Sequence, residues 1–312
     1  MMPDVLIRAT AHDNQFRVFA VNCTAAVQKA RDLHDLSPLA TLLLGKLLTA
    51  VAMMSWDLKH PQAEVTLRVD GDGALEGAVA ICNAEGMLRG YAHNPKLLIE
   101  DKLKDNFFIG KHLGKGTITT IRNDAKSKPY TGTCALVSGE IAEDLAEYYL
   151  QSEQISTAVN LGILIDKDAR VRAAGGFIIQ QMPLVSHDNA AKVGSGGSAS
   201  ASTMPFADLQ VADMLSSNIQ ATPNVSDLMD MGYSIEDILS KFVFKGISWQ
   251  KHEEKSIAYA CTCSRDKFSK ALLLLGKKEL SEMASGIEPV CQYCNTVYVF
   301  SHDDMINMIN NL

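Results

Sequence analysis

Two short cysteine pairs stand late in the chain, Cys261-Thr262-Cys263 and Cys291-Gln292-Tyr293-Cys294, with residues 264–290 between them. Thiolate sulfur is a soft ligand that suits Zn2+, four to a tetrahedron with bonds of about 2.3 Å. Two pairs, each on its own turn and brought together by folding, supply that set. Four sulfurs also fill the coordination sphere, which leaves no open position for catalytic chemistry. The C-x-C half adds a second possibility. Residues i and i+2 of an extended chain face the same way, with Cα atoms roughly 6.6 Å apart. That suits two metal thiolates but lies at the far edge of what a disulfide accepts, so a disulfide there is strained and easily reduced. Clustered thiolates are nucleophilic and open to oxidants where they approach the surface. Arg265, Lys267 and Lys270 are the cations near in sequence that can balance their charge. The same four residues can therefore be a structural staple or a redox switch, and spacing alone leaves both open.

Other chemistry fits the pattern less well. A thiol oxidoreductase places its C-x-x-C at a strand-to-helix turn, whereas Val297 to Phe300 after the second pair reads as a strand. A nucleic-acid-binding zinc ribbon needs a basic stripe, but residues 261–300 hold five Lys or Arg against four Asp or Glu. His252 and His302 flank the cluster and are not expected as ligands beside four cysteines. The remaining cysteines, Cys23, Cys82 and Cys134, sit in apolar strand contexts and read as small core residues. Gly110-Lys-His-Leu-Gly114-Lys115-Gly116-Thr117 looks like a phosphate loop but has the wrong spacing. Asp70 and Asp72 suggest a calcium loop, yet Leu75 and Ile81 occupy positions that such a loop cannot give to apolar residues. No Ser/His/Asp arrangement stands out, and the chain is read as a binding protein and not an enzyme.

Size and composition bound the setting. With 312 residues and 47% hydrophobic content, the chain can bury one large core and a small satellite. A net charge of −7 gives no long-range attraction for nucleic acid or an anionic membrane. Residues 1–10 include Asp4 and lack an apolar run followed by small residues, so no secretory signal is expected there. The most apolar stretch, Leu39 to Trp56, carries Lys46 at its middle and reads as a buried helix more than a membrane span. An odd number of cysteines, seven, is not a secreted disulfide framework. A cytoplasmic location is the expectation.

The elements that must position the cysteines emerge from periodicity. Gln15 to Thr24 alternates around Phe16, Val18 and Ala20 as a strand does. Thr24 to Leu36 has helical spacing with Thr24 as N-cap. Ser37-Pro38 opens a long apolar helix with proline at its first turn. Strands are expected at Glu64 to Val69, Leu75 to Cys82, Met87 to Tyr91, Thr117 to Arg122, Tyr130 to Val137, Ala158 to Asp166 and Ala173 to Gln181. A helix is expected at Gly139 to Gln151. Strands grouped together with few helices between them make the fold class α+β. His187 to Thr203, with its Gly/Ser tract at 194–202, is a flexible linker. From Met204 to Phe244 short helical pieces, broken at Pro205, Pro223 and Gly232, carry apolar faces of Met214, Leu215, Met229, Ile235, Ile238 and Leu239. They form either a fixed connector or a segment held conditionally. Between the cysteine pairs, Arg265 to Ala284 has helical spacing. A unit this small cannot bury a core and needs a metal staple.

With these marks in place, the sequence resembles the heat-shock protein 33 family of redox-regulated holdase chaperones. Cys261-Thr-Cys263-Ser-Arg265 and Cys291-Gln-Tyr-Cys294 are similar to that family's zinc motifs. Glu147-Tyr-Tyr-Leu-Gln-Ser-Glu153-Gln154 is similar to its helix ending in Ser-Glu-Gln, and Ala173-Ala-Gly-Gly176 with Gln180-Gln-Met-Pro183 to another signature. The resemblance runs from about residue 65, where Val65 to Gly73 resembles the family's strand and Gly-Asp-Gly turn, to residue 300. The Gly/Ser tract is richer than the family's linker. The resemblance implies three parts: a main α+β chaperone domain at 1–186, a flexible and helical linker region at 187–245, and a zinc-binding redox-switch domain at 246–312. It implies that Cys261, Cys263, Cys291 and Cys294 hold Zn2+ when reduced. It further implies that oxidation forms Cys261–Cys263 and Cys291–Cys294, releases the metal, unfolds the linker and lets unfolding client proteins bind without ATP, with a homodimer favoured when oxidised. The alternative is a zinc-stabilised binding protein without a redox switch.

Overall fold

The computed structural model describes residues 2–98, 108–182 and 209–312. The Gly/Ser tract, Pro183 and residues 204–208 lie outside the described residues. In chain order the strands are β1 (Val5–Ala11), β2 (Phe16–Asn22), β3 (Glu64–Gly71), β4 (Gly77–Asn83), β5 (Met87–Ala92), β6 (Gly116–Asn123), β7 (Tyr130–Ala135), β8 (Thr157–Ile165), β9 (Val171–Gln181), β10 (Trp249–Ser256) and β11 (Ala258–Tyr259). The helices are α1 (Thr24–His34), α2 (Pro38–Met54), α3 (Ile109–Leu113), α4 (Ala142–Tyr148), α5 (Leu209–Ala221), α6 (Val225–Asp230), α7 (Ile235–Ile238), α8 (Arg265–Leu273), α9 (Lys277–Glu282) and α10 (His302–Asn310). One sheet has five antiparallel strands in the order β10-β1-β2-β9-β8, and the other has six in the order β11-β5-β4-β3-β6-β7. The expected α+β class is what forms.

Helix α2 is the spine between the sheets. Ser37 caps it by accepting a hydrogen bond from the Ala40 N–H at 3.3 Å, and Pro38 fills the first turn. Leucines and alanines run round its whole circumference, so it is buried nearly all round, with α1 beside it and both sheets against it. Residues Pro38–Asp57, long and apolar enough to cross a membrane, are 83% buried within the protein over their most apolar window. Cys23, Cys82 and Cys134 join this core as expected. Burial pushes the Cys82 thiol up to about 11 and the Cys23 thiol higher still, so neither is reactive at neutral pH.

Several boundaries differ from the periodic reading. Thr24 is the first helical residue of α1 and not its cap. The cap role falls to Asp4, whose carboxylate accepts from the N–H groups of Ala25 and Ala26 at 2.9 and 2.6 Å. The helix expected over residues 139–151 is regular only in α4, then widens into a π turn over Tyr149–Glu153 that ends at Gln154 in a left-handed conformation. Val297 and Phe300 make isolated antiparallel bridges to Val290 and Ile287 and not a full strand. The glycine-rich run at 110–117 packs backbone to backbone: Gly110 lies against the carbonyl of Ser138 and Gly116 against that of Asp70, where no Cβ fits.

The second face of the five-stranded sheet has a separate apolar layer. Ile7, Val18, Ala20, Phe177 and Ile179 of the sheet meet Leu215, Val225, Leu228, Ile238, Leu239 and Val243 from α5 to the turn after α7. The chain then enters β10, which pairs along the free edge of β1. The boundary expected at residue 246 falls just before this strand.

Candidate metal centre

Strand β11 lies parallel to β5, with Tyr259 beside Leu88 in the main core. Two residues later the chain reaches Cys261. Cys261 and Cys263 lie on an irregular segment that ends where Ser264 caps α8, its side chain accepting from the Lys267 N–H at 3.2 Å. The second pair sits on a tight knuckle, closed by hydrogen bonds from the N–H groups of Cys294 and Asn295 to the Cys291 carbonyl. Ser301 and Asp304 cap α10 reciprocally, which fixes the chain leaving the centre. Only Leu272, Leu280, Phe300, Met305 and Ile309 are buried as this unit's own apolar core.

Folding brings the four predicted cysteines together: their sulfur atoms lie within 4.8 Å of one another. All of the chain's cysteines are free thiols. Two close approaches run across the pairs, Cys261 to Cys291 at 3.7 Å and Cys263 to Cys294 at 3.3 Å. A tetrahedron of about 2.3 Å bonds has edges of about 3.8 Å, so the set fits a metal ion of zinc's size and softness. His252 instead contacts Thr10 at 2.7 Å, and His302 contacts the Ala284 carbonyl at 2.6 Å. Among the described residues, no other group of metal-ligating side chains is gathered in this way.

The groups touching the sulfurs are not the cations expected from sequence. Arg265 pairs with Asp304 at 2.8 Å and lies over the Phe300 ring, while Lys267 donates to the Thr262 carbonyl at 2.6 Å. Both are drawn away by nearer acceptors. The Tyr298 hydroxyl donates to Cys263 Sγ at 3.0 Å, and Thr296 Oγ1 lies 3.2 Å from Cys294 Sγ. Burial pushes the Cys294 thiol up, but hydrogen bonds from Thr296 and from the neighbouring thiols outweigh it and bring it down to about 7. Burial, with the crowding of Cys263 and Cys291, pushes Cys261 up to about 12. One thiol of the cluster is thus readily ionised without metal, and another is not.

Sequence reasoning missed how the knuckle is seated. The Tyr259 hydroxyl lies 2.7 Å from both the Gly90 and Tyr293 carbonyl oxygens and receives the Gly90 N–H at 3.2 Å. His34, at the end of α1, places Nε2 3.1 Å from that hydroxyl and 3.3 Å from the Tyr293 carbonyl. Asn295 donates to the Leu33 carbonyl at 2.6 Å. The Tyr293 ring stands edge-on to Tyr91, with Arg89 over its face at 5.4 Å. These contacts tie the metal knuckle to α1 and β5. An aromatic residue with a polar tip two places before a ligand was the one available signal for Tyr259; nothing local marks His34.

Comparison with known proteins agrees with this architecture. Residues 4–301 match the family model described as Hsp33 protein. The 33 kDa chaperonin of Clostridium botulinum (strain Langeland) is 35% identical over 314 residues, covering 99% of this chain and 98% of its own. That of Clostridium tetani is 35% identical over 317 residues, covering 99% and 100%. The crystal structure of the 33 kDa chaperonin from Thermotoga maritima superposes with a TM-score of 0.83 at 32% identity, over 99% of each chain.

Proposed function

The chain belongs to the Hsp33 family, and on that premise we propose that this chaperone is a redox-regulated, ATP-independent holdase whose switch is the four-cysteine centre. The observation that carries the proposal is a unit with few buried apolar side chains that converges on four sulfurs and is joined, through β11 and β10, to the linker covering a sheet face. Cys261, Cys263, Cys291 and Cys294 would hold Zn2+ in the reduced chain. When bound, the ion supplies folding free energy, about 10–16 kcal/mol in small metal-folded units.

Activation is an oxidation of the chain's own thiolates. Each pair of thiolates gives two electrons to one hydrogen peroxide; one S–S bond forms, the O–O bond breaks, and two protons complete two waters. Pairing is proposed as Cys261–Cys263 and Cys291–Cys294. Close sulfurs also face each other across the pairs, so peptide mapping decides between in-pair and cross-pair closure. Neighbour pairing closes tiny loops and rebuilds nothing. Residues 246–312 then lose their anchor, the linker region 187–245 leaves the sheet, and the main domain 1–186 offers apolar surface to unfolding or partly folded clients. A patch of that kind exceeds what monomers usually expose, so the oxidised form is proposed to be a homodimer. Free thiols suit the cytoplasm, and no enzymatic, nucleic-acid-binding or membrane role is proposed.

The test is zinc content and suppression of aggregation of a heat-unfolding protein, without nucleotide, before and after peroxide with mild heating. Zinc loss together with gained suppression is the expected result. Retained zinc and unchanged activity would favour a zinc-stabilised binding protein without a switch.

A further inference from the structure

Where the linker meets the five-stranded sheet, two glycines leave a bare patch. Gly162 of β8 and Gly175 of β9 are register partners, although glycine is disfavoured inside strands. Helix α6 lies over both. A Cβ added at Gly162 would stand 2.7 Å from the Ser226 backbone nitrogen and 3.1 Å from its Cβ and Oγ. One added at Gly175 would stand 2.6 Å from Met229 Sδ, but also 2.5 Å from the Val21 carbonyl oxygen. Gly175 is thus required by the sheet as well as by the helix, whereas the nearest neighbours of Gly162 all belong to Ser226. The bareness of Gly162 serves the helix.

The rest of the patch reads the same helix. Val225 and Leu228 are buried in the apolar layer, and Arg172 on β9 pairs with Asp230 at 2.9 Å. The sheet therefore accepts a small residue, a long flexible side chain three places on and an acid at the fourth. Open clefts of about 690 and 290 Å³ flank α6, one lined by Met229 and Asp230, the other by Asn224 and Ser226. A six-residue helix has no stability of its own, so the notch supplies its order.

We propose that this notch is a client-binding site, which takes a helical segment carrying a small residue, then Met or a similar side chain at the third position after it and an acid at the fourth. In the closed protein α6 is its occupant, and a client replaces it once the linker has left. The proposal rests on the redox-release function above. Its probe is a labelled peptide of residues 222–244, added to the oxidised full-length protein and read by fluorescence anisotropy. Saturable binding is expected, weakened about tenfold or more by Ser226→Leu in the peptide and by Gly162→Ala in the protein. Excess peptide should restore aggregation of heat-unfolding malate dehydrogenase. Equal binding of the two peptides, which needs no protein variant, overturns the notch, as does saturating peptide that leaves suppression intact. An oxidised protein that suppresses no aggregation overturns the redox function and the client role together; one that suppresses it but ignores the peptide overturns the notch alone.

Discussion

On one face of the five-stranded sheet lie α1 and α2, of 11 and 17 residues, and α2 buries almost its whole surface against both sheets. On the other lie α5, α6 and α7, of 13, six and four residues. Both covers are apolar where they pack, so hydrophobicity does not separate them. Attachment does. The first cover is threaded between the two sheets, whereas the second continues directly into β10, β11 and Cys261. Under the proposed function, the first cover stays with the domain on oxidation, while the second depends on the strands and cysteine centre C-terminal to it.

The largest way to break this asymmetry is to remove the metal site. Cys261→Ser should abolish zinc binding, forfeiting roughly 10 kcal/mol of folding free energy, and unfold the residues beyond 260 while α1 and α2 stay protected. Metal analysis and two-dimensional NMR read both halves of that outcome, and a variant retaining full zinc contradicts the four-cysteine assignment. Next in size, a charge placed under each cover should have opposite consequences. Ile238 and Leu43 are both fully buried, and an unpaired buried carboxylate costs several kcal/mol. Ile238→Asp should release the linker and give a zinc-loaded, reduced protein that already suppresses aggregation. Leu43→Asp should unfold the domain. Activation by both, or unfolding by both, erases the distinction between the covers.

A smaller effect is expected at the seat of the knuckle. Tyr259→Phe removes a buried hydroxyl that serves Gly90, Tyr293 and His34, at a cost of about 1–3 kcal/mol. Zinc content should be unchanged at rest, while peroxide-driven zinc loss accelerates in stopped-flow measurements. An unchanged rate means the seat does not restrain the switch. The smallest effect concerns pH. Burial holds His34 below its ordinary value of 6.5, with hydrogen bonds to the Tyr293 and Gly90 carbonyls pulling the other way. The docked state therefore disfavours the protonated ring. Docking should be at full strength above pH 6.5 and weaken as pH falls from there toward the lowered docked value. Because the thiolates also protonate in acid, the readout is the difference in zinc-release rate between wild type and His34→Gln across that range. A difference that does not change with pH removes His34 from the account.

How far the sequence foretold this depends on the range of the interaction. The cysteine pairs, the long capped helix at Pro38 and the alternating strands β2 to β9 were legible because residue type and period state their own structure. Strands β1 and β10 were not. β10 is Trp-Gln-Lys-His-Glu-Glu-Lys-Ser, polar on both faces and mostly exposed; only the free edge of β1 makes it a strand. The seat of the knuckle joins His34 and Tyr259 to Tyr293 across most of the chain, and no local pattern encodes such a meeting. Arg265 and Lys267 misled because nearer acceptors claim them, which spacing cannot show.

The central claim, that the cysteine centre controls the second cover and not the first, is tested most directly by hydrogen exchange on reduced and peroxide-oxidised protein. Amides of residues 209–260 should lose protection in step with zinc loss, while those of α1, α2, β3 and β4 keep theirs. Full protection of 209–260 in a metal-free, oxidised protein, or equal loss of protection in α2, would contradict it.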